Sequence, residues 1–160
     1  QNKNHLKMRT HILSVCLLVG CLALALAEDR NMAGGIKIHP KGSENDQKAQ
    51  ELVKAGLKYL SEQNFNSVQG DVQETNVKQY STQVVSGILS RVLAQVMTSD
   101  GVYIVYFELL NQPWNNVINK VLKGCVLEET ASNSCAATED VEECKEFVIK
   151  HGHCFQTRTI

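Results

Sequence analysis

From residue 43 onward the apolar positions recur at helical spacing. Ala49, Leu52, Val53, Gly56, Leu57 and Leu60 fall at i, i+3, i+4, i+7, i+8 and i+11, which is one stripe along a helix. Lys48, Glu51, Lys54, Lys58 and Glu62 fall off the stripe, so the predicted helix lays one face on a core and wets the other. Ser43 is placed to cap it, and Glu44 and Asp46 in its first turn favour the positive end of the helix dipole. Gly56 inside the stripe implies close approach to a sheet.

Beyond a loop at residues 64–71 the period changes to two. Val77, Gln79, Ser81 and Gln83 alternate with Lys78, Tyr80 and Thr82, and residues 88–97 are rich in apolar and β-branched types, so both runs read as strands. Between them Gly87 can take positive φ without steric cost, which lets residues 83–87 reverse the chain with Val84 and Val85 at the tip. The competing reading, in which the two valines pack inward on their own sheet, stays open at this stage. Asp100-Gly101 marks the next reversal, and the continuous apolar run at 102–109 predicts a strand covered on both faces. Residues 111–116 then interrupt with polar side chains around Pro113 and Trp114, and 117–122 supply a returning strand. Residues 28–42 show neither period, and with Gly34-Gly35 and Pro40 they read as a mobile arm.

Ahead of the arm, Met8 opens a basic start with Arg9 and His11, followed by an apolar run at 12–26 and the small residues Ala25 and Ala27. This reads as a secretory signal peptide cleaved before Glu28. The run of about fifteen residues is short for a membrane anchor, since spanning takes about 20. Cleavage would leave 133 residues, enough for one domain, with 13 basic against 17 acidic side chains and a net charge of −4. That balance recommends neither nucleic acid nor an anionic membrane as a partner. It would also leave four cysteines, Cys125, Cys135, Cys144 and Cys154, which in a secreted chain imply two disulfides. The equal spacings Cys125-x9-Cys135 and Cys144-x9-Cys154 suggest two local loops, although four cysteines allow three pairings.

Gln83, Val85 and Gly87 stand in the pattern Gln-x-Val-x-Gly, preceded by Gly34 ahead of the helix and followed by Pro113-Trp114. In that order the three elements resemble the cystatin family, the reversible inhibitors of papain-like cysteine proteases. The resemblance covers residues 31–123, and its spacing from the central motif to Pro-Trp is closer to the cysteine-poor single-domain branch. It implies an α+β fold with one α-helix packed across a curved antiparallel β-sheet. It also implies a protease-binding edge made of Gly34, Gln83, Val84, Val85, Ser86, Gly87, Pro113 and Trp114, with Met32-Ala33 in the non-primed subsites. Some secreted cystatins carry an asparagine loop against legumain-type proteases, a role open to Asn64 or Asn66. The four-cysteine branch places its Pro-Trp between the third and fourth cysteines. Here all four follow Trp114, so that branch's disulfide pattern does not transfer.

The chain therefore divides into residues 1–27 as leader, 28–124 as a cystatin-like domain and 125–160 as a cysteine-containing extension. Residues 144–149 in that extension read as a short strand or a helix turn; in another register they become the penultimate cystatin strand. His151, His153, Cys154 and Cys144 offer a metal or thiol-nucleophile reading, outweighed by the bridging habit of secreted cysteines. No cofactor, metal or catalytic constellation is expected. The expected molecule is a secreted, tight-binding competitive inhibitor of cathepsin-type proteases. It is expected to be a monomer, with a domain-swapped dimer as the other open assembly. The rival is a non-inhibitory protein of the same fold whose role lies in residues 125–160.

Overall fold

The computed structural model describes residues 34–65, 68–130, 135 and 140–157. The leader, its cleavage point, Met32-Ala33 and Asn66 lie outside the described residues. Residues 34–160 form one compact unit. Strand β1 (Ile36–Ile38) leads into helix α1 (Ser43–Glu62), followed by β2 (Val72–Val85), β3 (Gly87–Thr98) and β4 (Val102–Gln112). A 3₁₀ turn (Pro113–Asn115), β5 (Val117–Glu128), helix α2 (Val141–His151) and β6 (His153–Gln156) complete the order. The six strands lie in sequence order in one sheet, each antiparallel to its neighbour. The α+β architecture is the expected one, a long helix across an antiparallel sheet. Among the described residues no helix is long and apolar enough to cross a membrane.

The stripe on α1 buries Ala49, Leu52, Val53 and Leu60 against Val92, Ala94, Val105, Phe107 and Leu109 of the sheet. Gly56 lies where the helix comes closest: a Cβ built there would stand 2.7 Å from the Phe107 ring. Gly124, opposite Phe107 in the β4–β5 register, holds the same ring at 2.9 Å from its own hypothetical Cβ. Phe107 is fully buried between these two glycines. A register shift between Val77 and Gln79 brings Val77 and Tyr80, three residues apart, onto the helix side together. Helix α1 starts with Gly42 as its cap, so Ser43 is the first helical residue and not the cap. Glu44 and Asp46 stand in the first turn as expected.

Three further features depart from the expectations. The first is β1: within the expected arm, Ile36, Lys37 and Ile38 pair with Gln83, Thr82 and Ser81. Three residues are too few to show a period, but the open edge of β2 supplies the hydrogen-bonding partners. The second is the region after residue 124. The expected boundary between domain and extension falls inside β5, which runs on to Glu128, and β6 then joins the sheet beside it. Residues 144–149 are helical, within α2. Asp140 caps this helix by accepting from the backbone N–H groups of Glu142 (2.9 Å) and Glu143 (3.2 Å). Helix α2 covers the sheet face opposite α1, burying Leu93, Ile104, Tyr106, Leu127 and Val148 in a second apolar cluster. This is why β4 reads as a continuous apolar run.

The third correction concerns the cysteines. Local pairs 125–135 and 144–154 do not form: Cys125 is bonded to Cys154, and Cys135 and Cys144 are free, buried thiols. The β5–β6 register puts Cys154 opposite Cys125. Cys144, on α2, instead faces the second apolar cluster, with the Sγ of Cys135 3.6 Å from its carbonyl oxygen. Burial, reinforced by the neighbouring Cys135, pushes the Cys144 thiol up to about 12.

Candidate functional site

One end of the sheet gathers the segments singled out from the sequence. Strand β2 ends at Val85, β3 begins at Gly87, β4 ends at Gln112 and β5 begins at Val117. Ile88 pairs with Asn111 and Ile36 with Gln83. The first hairpin tip, the Pro113-Trp114 turn and the chain at Gly34 are therefore neighbours on one rim. Strand count and direction bring them together: β2 arrives at this end, β3 leaves it, β4 returns and β5 leaves again.

The first tip is narrow. Val85 and Gly87 still pair, so Ser86 alone is left at the apex. Gly87 has φ +140°, and a Cβ there would stand 2.6 Å from Gln112 Cγ and 2.7 Å from the Asn111 carbonyl oxygen. A side chain at this position would both strain the backbone and push β3 away from β4. Gln112 braces the tip from the second hairpin, its Nε2 donating to the Ser86 carbonyl and lying 3.2 Å from Ser86 Oγ. At the second tip Pro113 opens the 3₁₀ turn, and Asn116 closes it in the left-handed region at φ 55° with its N–H on the Pro113 carbonyl (3.2 Å).

Val84 and Val85 point outward, 60% and 46% exposed, so the inward-packing reading does not hold. Trp114 is 67% exposed and does not fold back onto its sheet. Ile36, Ile88 and Ile118, which sequence reasoning did not single out, extend the same rim. Residues 83–88 and 112–118 contain no charged side chain. The rim is a ridge of exposed apolar groups edged by amides, of the kind that concentrates binding energy when covered. No periodicity marked these isoleucines: Ile36 sits on a three-residue edge strand, and Ile88 and Ile118 sit one residue inside each returning strand.

A polar chain stands behind the rim on the face opposite α1. Gln83 Nε2 donates to the Gly34 carbonyl at 2.8 Å, and Gln83 Oε1 accepts from Arg91 Nη2 at 3.0 Å. Arg91 Nε lies 3.7 Å from Glu108 Oε1, which also accepts from the Tyr106 hydroxyl at 2.7 Å. Burial and this bond to Glu108 push the Tyr106 phenol well above its ordinary value. On the other face His39 stacks on Tyr80 at 4.6 Å, with its Nε2 2.8 Å from Thr82 Oγ1, and fastens the strand that follows Gly34.

The other chemistry considered from the sequence lies elsewhere. A cleft of about 610 Å³ at the opposite end of the sheet is lined by Asn64, Tyr103, Glu128, His151 and His153 among others. Asn64 ends the turn after α1 at φ 56°, so it is far along the sheet from the rim. Cys154 is bonded to Cys125 and has no thiol to offer as a nucleophile beside His153. Among the described residues no three His, Cys, Asp or Glu side chains are grouped to hold a metal. The chain matches no family model, and comparison finds no curated protein and no solved structure similar to it.

Proposed function

We propose that this chain is a secreted, cystatin-type inhibitor of papain-like cysteine proteases, acting by inserting the rim of Gly34, Val84–Gly87 and Pro113-Trp114 into the active-site cleft. The observation that carries the reading is the convergence of these three segments, apolar and exposed, on one end of one sheet. A papain-like enzyme cleaves an extended peptide whose carbonyl approaches its sulfur to about 3–3.5 Å. Here the tip is tied by pairing on both sides and braced by Gln112, so it fills space without offering an extended bond to attack. Inhibition on this reading is reversible, competitive and non-covalent. Covering one valine or the tryptophan contributes about 1.5–3 kcal/mol, and loops already in place avoid an ordering cost.

One form of the rival, release of residues 125–160 as a separate active product, is disfavoured by how the described residues of that segment are built in. Strand β6 pairs with β5, Phe155 packs edge-on against Tyr59 at 5.5 Å and Phe65 at 6.3 Å, and Cys154 is bonded to Cys125.

Titration of the chain from Glu28 onward against papain tests the reading. The parent is expected to inhibit competitively, and Val85→Asp and Trp114→Ser to raise the inhibition constant roughly 10- to 100-fold each. Both side chains are exposed, so the fold tolerates the changes. A parent without inhibition at micromolar concentration, or variants as potent as the parent, would overturn it.

A further inference from the structure

Gln83 occupies the first position of the central motif, yet its side chain does not point along the rim. It reaches from β2 to the root of the N-terminal segment. Its amide is a bridge: the nitrogen end donates to the Gly34 carbonyl, and the oxygen end accepts from Arg91. An amide can turn end for end at little cost unless a partner discriminates oxygen from nitrogen. Arg91 reinforces the discrimination that the acceptor-only Gly34 carbonyl makes, because a guanidinium only donates. Arg91 is held in turn by Glu108, its register partner on β4, and Glu108 is fixed by the Tyr106 hydroxyl. The Arg91 and Glu108 side chains are 22% and 26% exposed, so water competes for them only in part.

We propose that Arg91 and Glu108 are positioning residues for the protease-binding rim. Through the orientation of the Gln83 amide they hold Gly34, and with it the start of the arm, beside the first hairpin tip. Gly34 lies two residues before the first β1–β2 pair, Ile36 with Gln83. The Gln83 bond is therefore the outermost tether on this end of β1 among the described residues. Gly34 itself has φ +96°, a conformation open to glycine at no steric cost, so without the tether nothing in its own stereochemistry selects one direction. The inference rests on the inhibitor reading for its functional consequence, but the tether is measurable without any protease.

Hydrogen exchange of the β1 amides at residues 36–38 and of the His39 amide beside them, set against the Val105 amide in the core of β4, reads the tether directly. Arg91→Ala and Gln83→Glu are the two perturbations. The glutamate side chain introduced by the second can still pair with Arg91 but, as a carboxylate, cannot donate to the Gly34 carbonyl. In both variants the β1 amides are expected to exchange roughly five- to tenfold faster, the size of one lost hydrogen bond, with Val105 unchanged. Arg91→Lys, which keeps a donor for Gln83 Oε1, is expected to recover part of the protection. The inhibition constant against papain is expected to rise by a similar factor in the two disrupting variants. Unaltered β1 exchange, or equal acceleration at Val105, overturns the positioning role whatever the inhibition assay gives. A parent that fails to inhibit while the exchange pattern holds overturns the protease reading and leaves the tether standing.

Discussion

Replacing Gly56 with alanine sets two effects of opposite sign against each other, and the packing around Phe107 decides between them. In an exposed helix interior the change would stabilise by about 1 kcal/mol, because alanine loses less backbone freedom on folding. Here the added methyl would stand 2.7 Å from Phe107 Cγ and Cδ1 and 2.8 Å from Cδ2. The ring cannot retreat, because Gly124 already lies against it from β5 and Phe107 is fully buried. Overpacking of this kind costs about 1–3 kcal/mol. Less the gain in propensity, Gly56→Ala is expected to destabilise by about 0–2 kcal/mol. Urea denaturation followed by circular dichroism reads the change as a lower midpoint at constant slope. The cause is tested by a double-mutant cycle with Phe107→Leu, which removes ring atoms from the clash. The pair should be more stable than the sum of the single effects by about 1 kcal/mol or more. A Gly56→Ala variant more stable than the parent, or strict additivity in the cycle, would refute the argument that the helix sits down on this ring.

Removing the Cys125–Cys154 bridge by alanine at both positions opens a loop with a sequence separation of 29. The expected loss is about 3–4 kcal/mol, read as a drop in the urea midpoint, and a loss under about 1 kcal/mol would contradict it. The Cys144 thiol, pushed up to about 12 by burial and by Cys135, holds a thiolate fraction at pH 8 on the order of 10⁻⁴. Iodoacetamide should therefore leave Cys144 unlabelled in the folded protein and label it once urea is added; native labelling at the rate of free glutathione would show the site open. Burial, then Lys37, then Lys48 lower the affinity of His39 for a proton below the ordinary 6.5. The unfolded chain thus binds the proton more readily, so the His39 contribution is complete above pH 6.5 and declines as pH falls through the lowered folded value. Exchange of the β1 amides, corrected for intrinsic rates, should accelerate on acidification below pH 6.5, and His39→Phe should abolish that dependence.

Periodicity is a property of a single element, and it sufficed for α1, whereas the 11 residues of α2 were left open between a strand and a helix turn. The stripe from Ala49 to Leu60 determined α1 and its buried face. Period two in β2, the apolar runs after it and the breaks at Gly87, Asp100-Gly101 and Pro113 placed strands β2 to β5 and the reversals between them. What lay beyond was set by partners distant in sequence. Ile36–Ile38 is a strand because β2 offers it an edge, and Gln83 reaches Gly34 across 49 positions. Residues 141–156 belong to the body because the second face of β4 is apolar and needs a cover, which α2 supplies. The same docking opposes Cys154 to Cys125 and turns Cys144 inward. Equal spacings between cysteines carry no information about which strand will lie beside which, so the pairing followed from the order of the sheet. Local pattern thus placed the reversal before Gly87, but Val84 and Val85, expected at its tip, stay paired in β2 and leave Ser86 alone at the apex. Tertiary structure alone decided that the tips share one end, because that depends on the direction of each strand relative to its neighbours.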